Sequence, residues 1–93
     1  MKTLTILGRR WFQKTYGNTY HTATIMIDGR TVHVIPQRYG YDSAYLTSAT
    51  DWLRDNGYLE GMDERRDTLW GYCDRAGIVL EYHATDVSRE RDL

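Results

Sequence analysis

A chain of 93 residues has room for one domain and one small core. Its 12 Lys+Arg and 13 Asp+Glu leave a net charge of −1, which argues against a histone-like DNA coat and against an acidic DNA mimic. The balance conceals a split: residues 1–40 carry six bases against one acid, Asp28, whereas residues 41–93 carry six arginines against twelve acids.

With 41% apolar and 27% charged residues, the composition is that of a folded globular domain rather than a disordered chain. Cys73 is the single cysteine, so no intrachain disulfide forms and no multi-cysteine zinc cage exists. No apolar run approaches the roughly 20 residues that cross a bilayer, and MKTLTILGRR lacks a hydrophobic signal core. These features predict a soluble, cytoplasmic protein with no membrane partner. Eight tyrosines, three tryptophans and ten arginines against two lysines bias the chain toward residues that anchor binding surfaces. A core of this size cannot bury all of its aromatics.

In chain order, Thr3 to about Gln13 reads as a strand, with Gly8 as a candidate bulge. A turn at Thr15–Asn18 leads into a returning strand, Thr19 to Ile27. Asp28-Gly29 between two β-branched runs marks a two-residue hairpin, because both turn positions need positive φ. Pairing Ile27 with Arg30 then sets Ile25 opposite Val32 and Ala23 opposite Val34 on the core face. Thr24–His33, Met26–Thr31 and Thr22–Ile35 fall on the other. Pro36 cannot donate to a ladder, which places the third strand at an edge or ends it.

A first helix is expected over about Ser43–Asn56, capped by Asp42 or Ser43, with Leu46, Ala49 and Leu53 inward and Gly57 beyond its end. A second runs from about Asp63 to Ala76, with Leu69, Cys73 and Ala76 inward and Gly77 closing it. In the last strand Ile78, Leu80, Tyr82 and Ala84 alternate with Val79, Glu81, His83 and Thr85. The expectation is a single α+β domain over residues 1–87. It has a mainly antiparallel sheet of about four strands, order βββααβ, with two helices on one face. Residues 88–93 form a charged tail expected to fray. Bases then lie mainly in the sheet and acids mainly in the helices, so their attraction is expected to help dock the layers.

No GxGxxG, P-loop, HExxH, GxSxG or EF-hand loop is present, and no paired acid and base stands at readable spacing, so an enzyme is not expected. Cys73 falls on an inward helical stripe, as an inert thiol does. His33, Glu81 and His83 would gather on the outer sheet face if the last strand lay beside the third. Two histidines and a carboxylate can form a facial metal site, but solvated polar residues explain the same pattern, and neither metal nor cofactor is assigned. Arg38 and the free N–H groups opening the first helix could hold a small anion, a role Asp42 already fills as a cap. Arg9-Arg10-Trp11-Phe12, with Tyr16, Tyr20 and His21, combines the bases and rings that bind single-stranded nucleic acid. Alternation limits this, since adjacent strand residues face opposite ways and either Trp11 or Phe12 is expected in the core.

At Arg9-Arg10-Trp11-Phe12, Gly17-Asn18-Thr19-Tyr20-His21, Asp28-Gly29, Tyr39-Gly40-Tyr41 and Leu53 to Tyr58, the sequence resembles small uncharacterised accessory proteins of tailed bacteriophages. The resemblance covers roughly residues 9–59. It implies a short protein made in a bacterial cytoplasm, whose partner is a host enzyme or defence complex, and it carries over no catalytic residue. The leading expectation is therefore a non-enzymatic module that binds and inhibits a host protein through Arg9, Arg10, Trp11, Tyr16, Tyr20, Arg38, Tyr39 and Tyr41. A nucleic-acid-binding module using the basic, aromatic hairpin face is the alternative. A homodimer through the open sheet face or the Pro36 edge is the third.

Overall fold

A computed structural model describes all 93 residues as one mixed sheet backed by two helices. The strands are β1 (Thr3–Gln13), β2 (Asn18–Ile27), β3 (Arg30–Tyr39) and β4 (Val79–Val87). The helices are α1 (Ala44–Asp55) and α2 (Leu69–Ala76), and Glu90–Asp92 makes a short 3₁₀ turn. The sheet order is β3-β2-β1-β4; β1–β2 and β2–β3 are antiparallel, and β4 lies parallel to β1. The expected α+β class and element order hold. The first and last strands are thus neighbours, joined by a crossover through both helices, as parallel pairing requires.

The Asp28-Gly29 turn forms as expected, with φ of 50° and 82°. Asp28 does more than turn the chain. Its carboxylate accepts the backbone N–H groups of Lys2 (2.8 Å) and Thr3 (2.9 Å), tying the start of β1 to the far hairpin. Those two donors, Thr3 first and then Lys2, hold the Asp28 carboxyl below its ordinary value.

Four local expectations are corrected. Gly8 is no bulge, since β1 pairs with β2 without interruption from Leu4 to Gln13. Its missing side chain instead makes room for the Tyr45 ring: a Cβ at Gly8 would stand 2.5 Å from Cδ2 and 2.6 Å from Cγ of that tyrosine. The β2–β3 register follows the expected Ile27–Arg30 and Met26–Thr31 pairs, then slips at a bulge. Ile25 meets His33, Thr24 meets Val34, and Ala23 meets Ile35, so Ile35 is buried while Val34 is exposed. The second helix begins at Leu69 rather than Asp63. Asp63 and Asp67 bind backbone N–H groups between them (Asp67 Oδ2 from Asp63, Asp63 Oδ1 from Arg65), which favours a turn over a helix. Thr68 then caps the shorter helix by accepting Gly71 N–H at 3.1 Å, and Gly77 closes it in the left-handed region. Ala76 is exposed, not inward.

The core lies between one sheet face and the helices. Leu4 and Ile6 of β1, Ala23 and Ile25 of β2, and Ile35 of β3 meet Tyr45, Leu46, Ala49 and Leu53 of α1 and Leu69 and Cys73 of α2. Burying each larger aliphatic side chain contributes roughly 1.5–3 kcal/mol. His21 is the buried polar member, 1% exposed. Its Nδ1 lies 3.1 Å from the Gly40 carbonyl and its Nε2 2.8 Å from Ser48 Oγ, so one imidazole links β2, the segment after β3, and α1. Toward the β3 edge, His33 stacks face to face on Trp52 (centroids 4.3 Å apart, planes 6° apart), and Trp52 stacks on Tyr58.

Charge attraction between the layers plays a smaller part than the sequence suggests. Among the bases of residues 1–40 only Arg10 makes a salt bridge, to Asp86 on the adjacent strand; the remaining bridges join arginines and acids within residues 41–93.

Candidate functional site

The first hairpin outruns its helical cover. An 11-residue strand is roughly 36 Å long, whereas a 12-residue helix is roughly 18 Å. The start of α1 lies over Gly8 and His21, and the hollow beside Phe12, farther along the hairpin, is lined by no helical residue. The aromatics of residues 11–20 and 39–41 collect at this end.

On the open face, away from the helices, Trp11 stacks on Tyr20 at 5.9 Å, and Tyr20 meets Tyr39 edge to face at 5.8 Å. The β1–β2 and β2–β3 registers place these three rings directly across from one another. Trp11 and Tyr20 are half-buried by this packing, while Tyr39 remains 67% exposed. Tyr16, in the connecting turn, is 73% exposed. On the opposite face Phe12 and Tyr41 flank a hollow of ≈ 380 Å³ shared with Arg10, Asp42 and Asp86. Tyr16, Tyr41 and Tyr39 are the three most exposed large apolar side chains of the molecule.

The eight residues singled out from sequence do not form one surface. Arg9, Trp11, Tyr20 and Tyr39 share the open face, Tyr16 tips the hairpin, and Tyr41 stands behind it. Arg10 is withdrawn: its Nε donates to Asp86 Oδ1 at 2.7 Å and its Nη1 to the Asp42 carbonyl at 3.1 Å. It is a brace between strand and loop, the outcome alternation dictates once Arg9 faces the other way. Arg38 also leaves the group, because its partner in the sheet is the core-facing His21 and it lines a separate hollow with Ser48, Asp51, Trp52 and Asp55. Phe12 is 54% exposed and Trp11 half-buried on the open face, so neither is the core residue that alternation leads one to expect. The even-numbered place of Phe12 beside Leu4 and Ile6 points it to the helix side, where the hollow beside it is lined by no helical residue.

The metal arrangement of His33, Glu81 and His83 does not form. β3 and β4 are opposite edges of the sheet, and His33 faces Trp52 on the helix side. Burial raises the Cys73 thiol above its ordinary range, which leaves it a poor nucleophile.

The charged tail does not run off into solvent. It turns back beneath the sheet, where Arg9 Nη1 donates to the Asp92 carbonyl at 3.2 Å and Gln37 Nε2 to Glu90 at 3.3 Å. Leu93 is half-buried in an open-face hollow of ≈ 480 Å³ with Leu7, Thr22, Val34 and His83. Arg9 is therefore partly occupied by the tail backbone, while the carboxylates of Glu90 and Asp92 bond Gln37 and Arg89.

No protein-family model, curated protein or solved structure matches the chain. No helix is long and apolar enough to cross a membrane.

Proposed function

We propose that this chain is a non-enzymatic interaction module that docks a protein partner on the aromatic end of its first hairpin. In the setting implied by the resemblance to phage accessory proteins, that partner is a host protein whose activity the binding inhibits. The observation that carries this reading is that Tyr16, Tyr39, Tyr41 and Phe12 are all exposed at the turn end of the first hairpin. Phe12 and Tyr39 stand on the strand ladder, so few of their rotamers are lost when they are covered. Beside them Arg10 is paired with Asp86, while Arg9 donates to the tail carbonyl of Asp92 and makes no salt bridge. A surface led by exposed rings, with Arg10 already paired to an acid, suits a protein contact better than a phosphate chain.

Replacing Tyr16, Tyr39 and Tyr41 together by serine tests this. Each anchor is worth about 2 kcal/mol, roughly thirtyfold in affinity, if it is a hot spot. Immobilised wild-type chain should retain a defined protein from bacterial lysate, and the triple variant, melting within a few degrees of wild type, should not. Equal capture by both removes the aromatic end from consideration.

The stacked pair Trp11–Tyr20 favours a second reading, a platform for single-stranded nucleic acid. Oligonucleotide retention that falls with salt at a log–log slope near −0.7 per neutralised phosphate would support that reading over the first.

A further inference from the structure

The sheet has two free edges, β3 and β4, and only one is guarded. β3 carries Pro36, which lacks an N–H, and its ladder is broken by two register shifts. These irregularities rule out the Pro36 edge as a straight pairing surface. β4 has neither: it runs from Val79 to Val87 in unbroken register with β1 and contains no proline, glycine or lysine. An exposed, regular edge of nine residues is a template for another strand.

From this asymmetry and from the sequence of the strand we infer that β4 pairs antiparallel with β4 of a second copy of this chain, centred on Tyr82. The hydrogen-bonding frame is fixed. Val79 donates its N–H to the Lys2 carbonyl, so in the parallel ladder the odd residues of β4 bond inward to β1. The alternate set, Leu80, Tyr82, Ala84 and Asp86, turns N–H and C=O outward. A twofold axis through Tyr82 joins Tyr82 to its counterpart and Leu80 to the second copy's Ala84 as hydrogen-bonded pairs, a large side chain against a small one. Glu81 then falls opposite the second copy's His83, and His83 opposite its Glu81, in the closer non-hydrogen-bonded positions. Both are exposed on the open face, so the carboxylate and imidazole meet twice across the axis.

The charge match selects this register. Centring on His83 instead sets His83 against His83 and Asp86 against Leu80. Centring on Ala84 sets Tyr82 against Asp86 and Glu81 against Val87. Of these three centres only Tyr82 sets each Glu81 carboxylate against a His83 imidazole, with no two acids and no two histidines opposed. The paired window ends short of Val87, the neighbour of Trp11, so the second copy occupies a surface separate from the aromatic end.

Sedimentation equilibrium of the full chain should show a reversible monomer–dimer equilibrium between micromolar and millimolar concentration; a monomer throughout overturns the inference. Glu81→Lys places lysine against histidine twice, and His83→Glu places glutamate against glutamate twice. Each variant should dimerise about tenfold more weakly than wild type, with an unchanged melting temperature. Mixed together, the two variants regain both matched contacts. The lysine introduced in one meets the glutamate introduced in the other, and the His83 kept by the first meets the Glu81 kept by the second. The mixture should therefore form a heterodimer as tight as the wild-type homodimer. Variants that self-associate like wild type, or a mixture no tighter than its components, would overturn the register. Amide exchange gives an independent readout: the outward N–H groups of Leu80, Tyr82, Ala84 and Asp86 should slow with protein concentration, and concentration-independent exchange refutes the pairing.

Discussion

Adding one methyl group at Gly8 is the sharpest available test of the packing. In an ordinary strand Gly→Ala stabilises by roughly 0.4–1 kcal/mol, because the unfolded chain loses freedom it would otherwise keep. Here the new Cβ would lie 2.5 Å from Tyr45 Cδ2 and 2.6 Å from Cγ, whereas ordinary contact begins near 3.4 Å. Strand or ring must yield by nearly an ångström. The clash falls at the root of the ring rather than at a flexible tip, and Tyr45 is 5% exposed with no room to swing away. β1 is held by β2 on one side and β4 on the other, so it cannot shift cheaply either. Overpacking of this kind costs about 1–3 kcal/mol, and the upper end applies. Subtracting the entropic gain leaves about 2 kcal/mol of destabilisation, a drop of roughly 10 °C in Tm for a domain of this length. Thermal melts followed by circular dichroism would read it for Gly8→Ala, Tyr45→Ala and the pair. Gly8→Ala should cost much less in the Tyr45→Ala background, where Cγ and the ring are both gone. A stabilised Gly8→Ala, or an equal cost in both backgrounds, refutes it.

Other consequences can be checked in the same melts. Ser48→Ala strands the buried Nε2 of His21 and should cost about 1–3 kcal/mol, while Thr47→Ala on the exposed neighbour should be near neutral; equal effects would mean that the His21 link contributes nothing. Asp28 is more acidic folded than unfolded, so its contribution is whole above its ordinary value of 3.8 and disappears as pH falls through the lower folded value. The stability gap between wild type and Asp28→Asn should therefore close on acidification below pH 3.8, and a gap that stays constant down to pH 2 would contradict the Lys2 and Thr3 hydrogen bonds. Native Cys73 should react with a thiol reagent only as fast as the core opens, and rapid labelling under native conditions would show that the thiol is not sealed.

What the sequence makes legible is local and periodic. The Asp28-Gly29 turn, the Leu46/Ala49/Leu53 stripe, the Gly77 cap and the alternation of Ile78–Thr85 each rest on neighbours in the chain, and each is present in the structure. What fails depends on contacts made across it. Gly8 looks like a bulge because its reason, a tyrosine 37 positions later, is invisible along β1. The slip that buries Ile35 follows from an extra residue on β3 that alternation alone cannot reveal. Asp63 and Asp67 hold a turn in what composition presents as the first part of a helix. The candidate surface divides the same way. Tyr16, Tyr39 and Tyr41 are exposed as expected, but the sequence groups Arg9 with Arg10 where the pleat separates them. The exposure of Phe12 depends on where α1 sits against the hairpin, which needs both elements placed.

The His21 bolt has a consequence for how this protein can change over time. Gly40 sits at φ 148°, and a Cβ there would meet Ala44 Cβ at 2.6 Å and His21 Cε1 at 3.2 Å. The residues on either side, Tyr39 and Tyr41, project into solvent and bury little. Mutational tolerance therefore alternates within three consecutive positions: the two outer side chains can be exchanged almost freely, while the one between them is fixed. Selection, or a display library, can rewrite the recognising side chains at 16, 39 and 41 without retuning the scaffold that presents them.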